Sequence, residues 1–321
     1  MRKGSLEYWP HRRAKKIMPR IRTWPAEEKA AVLGFVGFKA GMTHAMLVDD
    51  SEGPAKGTEV AEPVTIVEVP PVFAYGARFY AKTANDSYLH VAYEIYDEKL
   101  AKNVGINKTK HNDISAVKDK LEGISDIRLL AYVDPSGVGF GTKKHMRFEL
   151  ALGGTLQDKL ALVEKVLGKE IKISEIFKPG DYVDVTSISK GKGWEGPIRR
   201  FGVARQFHKA TGKVRHVGTL GPFHPPKVLY SVPMAGHLGH NYRTELNKRV
   251  LKIGSANEAK QVNVAGGFPN YGVVKNDFIV LHGSLPGAPG MLVRLRKAIR
   301  QTKPSHEPVI KYISVSSKIG A

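Results

Sequence analysis

The chain has 321 residues, 42% of them hydrophobic, enough for one large domain or two modest ones with a filled core. Fifty Lys and Arg stand against thirty Asp and Glu, a formal +20 with a pI near 9.9. Such a surplus points to a polyanion, either nucleic acid or an anionic membrane face. Cysteine is absent, which excludes disulfides, thiolate zinc sites, iron–sulfur clusters and cysteine nucleophiles.

In chain order, residues 1–24 carry eight cations, Arg2, Lys3, Arg12, Arg13, Lys15, Lys16, Arg20 and Arg22, against Glu7 alone. No apolar core follows them, so they do not read as a secretory signal, and Glu7, Trp9-Pro10 and Trp24-Pro25 interrupt the amphipathic helix of a transit peptide. The longest apolar run, Ala30 to Phe38, is about half of the roughly 20 residues that a membrane span needs. The expectation is a soluble chain in which the sequons at Asn85 and Asn107 are accidental.

Alternating or β-branched runs bounded by Gly and Pro predict strands at Leu33–Phe38, Met42–Val48, Val64–Val69, Phe73–Lys82 and Tyr88–Tyr96. A short helix at Ile114–Leu121 and a strand at Ile127–Val133 come next. Thr155 with Asp158 resembles a capping box, Leu156, Leu160, Val163 and Leu167 form one apolar stripe, and Gly168 sits where a helix ends. Further strands are expected at Asp181–Ile188, Arg249–Ile253, Phe278–Leu281 and Lys311–Val315. Residues 85–168 read as a mixed α/β insertion in a mostly β domain, and no internal repeat is present.

Residues 189–227 repeat the charge pattern of the N-terminus: Lys190, Lys192, Arg199, Arg200, Arg205, Lys209, Lys213, Arg215 and Lys227 against Glu195 alone. These two segments hold +15 of the +20, so the remaining 258 residues are nearly balanced. From Lys190 to Arg243, Gly and Pro recur every few residues and no apolar period persists. A structureless stretch of this length is either functional or a flexible linker. Aromatics (Trp194, Phe201, Phe207, Phe223, Tyr230) interleave with the cations, which suits phosphate neutralisation with stacking on bases and weighs against a linker.

Several constellations test poorly as reaction centres. Gly191-Lys-Gly193-Trp-Glu-Gly196 matches a dinucleotide fingerprint, but that site needs a helix opening on the third glycine and an acidic residue about 20 positions later. Here Pro197-Ile-Arg-Arg-Phe-Gly breaks a helix within a turn, and position 216 is His. Gly137-Val-Gly139-Phe-Gly141-Thr-Lys-Lys lacks the Gly-Lys-Ser/Thr ending of a nucleotide loop and reads as a turn. His237-Leu-Gly-His240 has no carboxylate ligand nearer than Glu245 and no helix, so no metal site is expected. His208, His216 and His224 lie among Lys and Arg, surroundings that disfavour protonation and suit contact residues better than general bases.

Collinear motifs then resemble one family. Leu33-Gly-Phe-Val-Gly-Phe-Lys-Ala-Gly-Met-Thr-His44 is similar to the start of the globular domain of the universal ribosomal protein L3 family, and Ser189–Gly202 to that family's long central extension. Gly221-Pro-Phe-His-Pro, Val232-Pro-Met-Ala-Gly236, Arg243-Thr-Glu-Leu-Asn-Lys248, Gly266-Gly-Phe, Lys275-Asn-Asp-Phe and Gly283-Ser-Leu-Pro-Gly-Ala follow in order. The basic N-terminus and the 85–168 insertion resemble the archaeal and eukaryotic branch. Three positions depart from the family: Phe223 stands where an aromatic finger is commonly Trp, His237 where many relatives have Gln, and Thr211 about where some eukaryotic relatives carry a modified His.

The resemblance implies a mainly β fold: a translation-protein-type β-barrel core (27–84 with 169–188 and 244–321), the α/β insertion, and two long non-globular rRNA-binding extensions, 1–26 and 189–243. It implies a structural constituent of the large ribosomal subunit that binds large-subunit rRNA beside neighbouring ribosomal proteins in the cytoplasm. It would support early assembly and bring the tip at Gly221–Pro226 near the peptidyl-transferase centre. The expected RNA contacts are the cations named above with Arg243, Trp194, Phe223 and His224. No catalytic residue, metal, cofactor, membrane or small-molecule substrate is expected. Both extensions are expected to order only on RNA. The rivals are an RNA-modifying or RNA-processing enzyme with a basic loop over its active site, and a cationic protein of anionic membranes.

Overall fold

The computed structural model describes residues 4–82, 89–106, 123–210, 212–301 and 306–318. The sequons at Asn85 and Asn107 and the helix expected at Ile114–Leu121 lie outside them. The chain divides into two compact units, Met1–Ile17 with Ile188–Arg243, and Met18–Ser187 with Thr244–Ala321.

In the larger unit the strands are β1 (Gly34–Val48), β2 (Glu59–Glu68), β3 (Val72–Lys82), β4 (Leu89–Tyr96), β5 (Ile124–Val133), β6 (Met146–Ala151) and β7 (Glu170–Ile171). The helices are α1 (Glu98–Asn103) and α2 (Leu156–Val166). β8 (Tyr182–Ile188) leads out to the smaller unit, where β9 (Trp194–Glu195), α3 (Pro197–Phe201) and β10 (Gly236–His237) lie. β11 (Tyr242–Gly254) leads back, followed by β12 (Phe278–His282), β13 (Leu292–Lys297) and β14 (Ile310–Ile313).

A seven-stranded sheet runs β13-β8-β11-β12-β2-β1-β14, and β1 also pairs β13. That extra pairing, with Gly34 opposite Arg296 and Phe38 opposite Leu292, closes six strands into a barrel and removes two open edges. The two strands expected at Leu33–Phe38 and Met42–Val48 are a single strand with a register shift between Lys39 and Gly41. The bulge is held from outside its own sequence. Lys39 Nζ is buried and donates to the carbonyls of Leu285 (2.6 Å) and Gly287 (3.1 Å), and the Phe268 ring occupies the space a Cβ on Gly41 would need.

The barrel interior is apolar, with Phe35, Phe38, Ile66 and Phe278 fully buried. Five charged residues are buried among those described, Lys39 above and Glu68, Asp184, Arg296 and Arg294. Glu68 accepts from Tyr271 Oη (2.5 Å), the amides of Lys275 and Asn276, and Asn276 Nδ2. Asp184 faces Arg296 at 2.9 Å and also accepts from the Asn247 amide. Arg294 has no carboxylate hydrogen-bonded to it among the described residues. It donates to the carbonyls of Pro19 (3.1 Å) and Glu149 and lies over the Trp24 and Phe148 rings, and burial pulls its pKa down to about 10. β13, reading Leu-Val-Arg-Leu-Arg-Lys, escapes a sequence search for apolar alternation because these arginines point into the protein.

A second sheet, β4-β3-β5-β6 with β7 on β3, carries α2. The expected capping box is present, with the Thr155 side chain on the Asp158 amide and Asp158 reaching back to the Thr155 amide (3.1 Å). Leu160 and Val163 are buried, and Gly168 takes φ +78° just past the end. The sheet draws on β3 and β7, beyond the 85–168 span read from sequence. The glycine run at 137–141 is a turn, as expected, pressed against the backbone of Tyr271 and Val273.

Candidate nucleic-acid interface

The smaller unit carries 16 of the 50 Lys and Arg residues and only two acidic ones, Glu7 and Glu195. Like charges at this density need a scaffold, and backbone hydrogen bonds supply it. Ser189 N donates to Asn241 O (2.9 Å), Lys192 N to Leu238 O (3.0 Å), and Leu238 N to Gly193 O (3.0 Å). β9 and β10 extend this ladder, Trp194 opposite His237 and Glu195 opposite Gly236. Gly239 is indispensable there: it takes φ +77°, and an added Cβ would lie 2.0 Å from the Lys190 carbonyl oxygen.

α3 opens directly after Gly196 and lasts only five residues before Gly202 ends it at φ +68°, close to the break within a turn expected from sequence. Its Arg200 turns back on the ladder, donating to the carbonyls of His237 (3.0 Å) and Met234 (2.8 Å). Burial lowers the pKa of that guanidinium. Arg199 pairs with Glu195 at 2.6 Å, which neutralises the segment's one carboxylate.

The N-terminal tail packs on this scaffold. Ser5 caps a turn at Leu6–Tyr8, Trp9 stacks on Phe201 (5.6 Å, 14°), and Tyr230 meets Trp9 edge-on (5.8 Å, 73°). His11 sits 4.7 Å from Trp9 and 5.5 Å from Phe201. Burial and the neighbouring Arg200 and Arg243 charges push its pKa down. The Arg243 guanidinium lies over the Tyr8 ring at 4.4 Å, Asn241 Nδ2 donates to Arg12 O (2.8 Å), and Tyr242 Oη donates to Lys16 O (3.0 Å). From sequence the two basic segments are separate extensions that order only on RNA. The structure places the two segments in one unit joined by aromatic packing and hydrogen bonds, a link that the sequence does not show. Trp9-Pro10 reads as a helix breaker, and nothing local to it announces a contact with Phe201.

The expected contact residues therefore fall into three sets. Arg199, Arg200 and Arg243 are committed inside the unit. Arg12, Arg13, Lys15, Lys16, Lys190, Lys192, Arg205, Lys209, Lys213, Arg215 and Lys227 are exposed with no side-chain partner among the described residues, as are Arg20 and Arg22 in the larger unit. Arg2 and Lys3 lie outside the described residues. Phe201 faces inward, whereas Trp194 (79% exposed), Phe207 (85%), Phe223 (88%) and Tyr230 (72%) are the most exposed large apolar side chains described. Among the described residues the ring contact of Phe223 is edge-on to His224, at 4.9 Å. Among the described residues no three His, Asp or Glu side chains converge as a metal-binding set, and no helix is long and apolar enough to cross a membrane.

The larger unit thus holds a closed β-barrel, and the smaller unit gathers cations and exposed rings. The family model described as ribosomal protein L3 matches residues 1–320. The large ribosomal subunit protein uL3 of Methanothermobacter thermautotrophicus is 40% identical, with 99% of this chain and 98% of that protein covered. The uL3 proteins of Methanobrevibacter smithii (41% identical, 99% and 98% covered) and Methanocaldococcus jannaschii (39%, 99% and 97%) are similarly related. The chain belongs to the ribosomal protein L3 family of the large ribosomal subunit.

Proposed function

We propose that this chain is a non-catalytic structural constituent of the large subunit that binds large-subunit rRNA through its smaller unit. In this reading it supports early subunit assembly and orders rRNA near the peptidyl-transferase centre through the tip at Gly221–Pro226. The observation that carries it is the smaller unit's composition in space: sixteen cations against two carboxylates, one of these neutralised internally, with exposed aromatics between them. Free cations neutralise phosphates and release counterions, and exposed rings offer faces to unpaired bases. The larger unit is nearly balanced in charge and supplies the stable body to which the arm is joined. Its partners in this reading are rRNA and adjacent ribosomal proteins, and its place is the cytoplasm.

Gradient sedimentation of native lysate tests this. The chain is expected in the large-subunit peak and to leave it after RNase treatment. Its absence from that peak in untreated lysate overturns the proposal.

A further inference from the structure

The four most exposed rings of the smaller unit differ in how they are held. Phe207, Phe223 and Tyr230 lie between Gly202 and Ala235, where the described residues form neither helix nor strand. Trp194 lies in a strand. β9 pairs β10 on one side, the Lys192–Leu238 and Leu238–Gly193 hydrogen bonds continue the ladder, and Arg200 is fastened to the carbonyls of Met234 and His237. Gly236 has no Cβ because that guanidinium fills its place at 2.9 Å. The backbone that carries Trp194 is thus held by hydrogen bonds within the protein. Its indole is 79% exposed and meets no other ring or cation among the described residues.

A large apolar face held open to water is unusual for tryptophan, and the surroundings define what covers it. Lys190 and Lys192 are exposed within four residues of it. The adjacent Glu195 is cancelled by Arg199 at 2.6 Å, so no bare carboxylate repels an incoming phosphate. A cationic surface with a flat ring fits a nucleotide. Base pairs inside an A-form duplex are stacked on each other and offer only edges, whereas an unpaired base presents a whole face.

We propose that Trp194 is a preformed stacking platform for one unpaired nucleobase of RNA, with Lys190 and Lys192 holding the flanking phosphates. The proposal rests on the rRNA-binding reading above and specifies single-stranded rather than duplex RNA at this position.

The test uses the full-length chain and two probes, a single-stranded oligoadenylate of about ten nucleotides and a blunt RNA duplex with the same number of phosphates. Trp9 and Trp24 are packed against other side chains, so solvent-exposed tryptophan emission belongs to Trp194. The single strand is expected to quench that emission saturably and the duplex to leave it unchanged. Trp194→Ala is expected to weaken single-strand binding by roughly 5- to 150-fold, the span of one base–aromatic stack, with most of it restored in Trp194→Phe and duplex affinity untouched. Equal quenching by both probes, or unaltered single-strand affinity in Trp194→Ala, overturns the platform while leaving rRNA binding intact. Failure of the unmodified chain to bind either probe overturns both readings.

Discussion

Replacing Lys209, Lys213, Arg215 and Lys227 together by Gln removes charge from the smaller unit without touching its scaffold, because none of the four has a side-chain partner among the described residues. Eleven such free cations are present on that unit in the unmodified chain. If each neutralises one phosphate at about 0.7 to 0.9 counterions released, log affinity falls with log salt at a slope of about −8 to −10. From 50 to 200 mM salt that costs roughly five decades. The quadruple variant is expected to flatten the slope by about three, measured by filter binding to a large-subunit rRNA transcript across a salt series. Arg200→Met is the control. Its guanidinium is bonded to Met234 and His237, so losing it loosens the ladder but leaves the slope within about one unit of the original. An unchanged slope in the quadruple variant, or an equal flattening in Arg200→Met, refutes the division into free and committed cations.

Three further outcomes are expected. Asp184→Ala strands Arg296 without its buried carboxylate and should cost about 3–5 kcal/mol, read from the midpoint of denaturant unfolding of the RNA-free protein; a loss below about 1 kcal/mol would show that water or another acceptor replaces it. Gly239→Ala cannot fit beside the Lys190 carbonyl, so residues 188–243 should become protease-sensitive while the barrel unfolds at its original denaturant concentration; equal resistance in variant and parent contradicts that packing. His11 is held below its ordinary pKa of 6.5, so the unfolded tail binds the proton more readily than the docked one. Docking is therefore at full strength above that pH and is lost as pH falls from 6.5 through the folded value, and His11→Asn should flatten the amide-exchange profile of residues 5–17 between those limits.

Features encoded within a few residues are legible in the sequence. The Thr155–Asp158 cap, the stripe from Leu156 to Leu167 and Gly168 define α2 almost to the residue, because a helix is made of local contacts. Charge is legible as a total but not as a set of roles. Arg294 and Arg296 look like solvated cations of the linear sequence, yet their partners are Pro19, Glu149 and Asp184, more than a hundred positions away. Arg200 reads as an RNA ligand beside Arg199, but its carbonyl acceptors lie 34 and 37 residues downstream. Phe201 looks equivalent to Phe223 in composition and differs because Trp9, His11 and Arg200 cover it. Between Gly202 and Ala235, Tyr230 meets Trp9 and the Met234 carbonyl takes Arg200, whereas the Lys and Arg side chains there have no distant partner among the described residues, so their exposure is what composition alone suggests.

Closure of the barrel through β1 and β13 also sets a timetable for the growing chain. Phe38 meets Leu292 and Gly34 meets Arg296, so the first strand waits through the synthesis of about 250 residues for that neighbour. At about 5 to 20 residues per second the interval is roughly 13 to 50 seconds. The whole basic segment leaves the ribosome inside that interval, ahead of the strands that complete the body. Contacts this remote also make for slow folding after release. A newborn molecule therefore displays its cationic surface to cellular RNA before its own core is sealed, and the order of its strands exposes it to premature capture by the wrong polyanion.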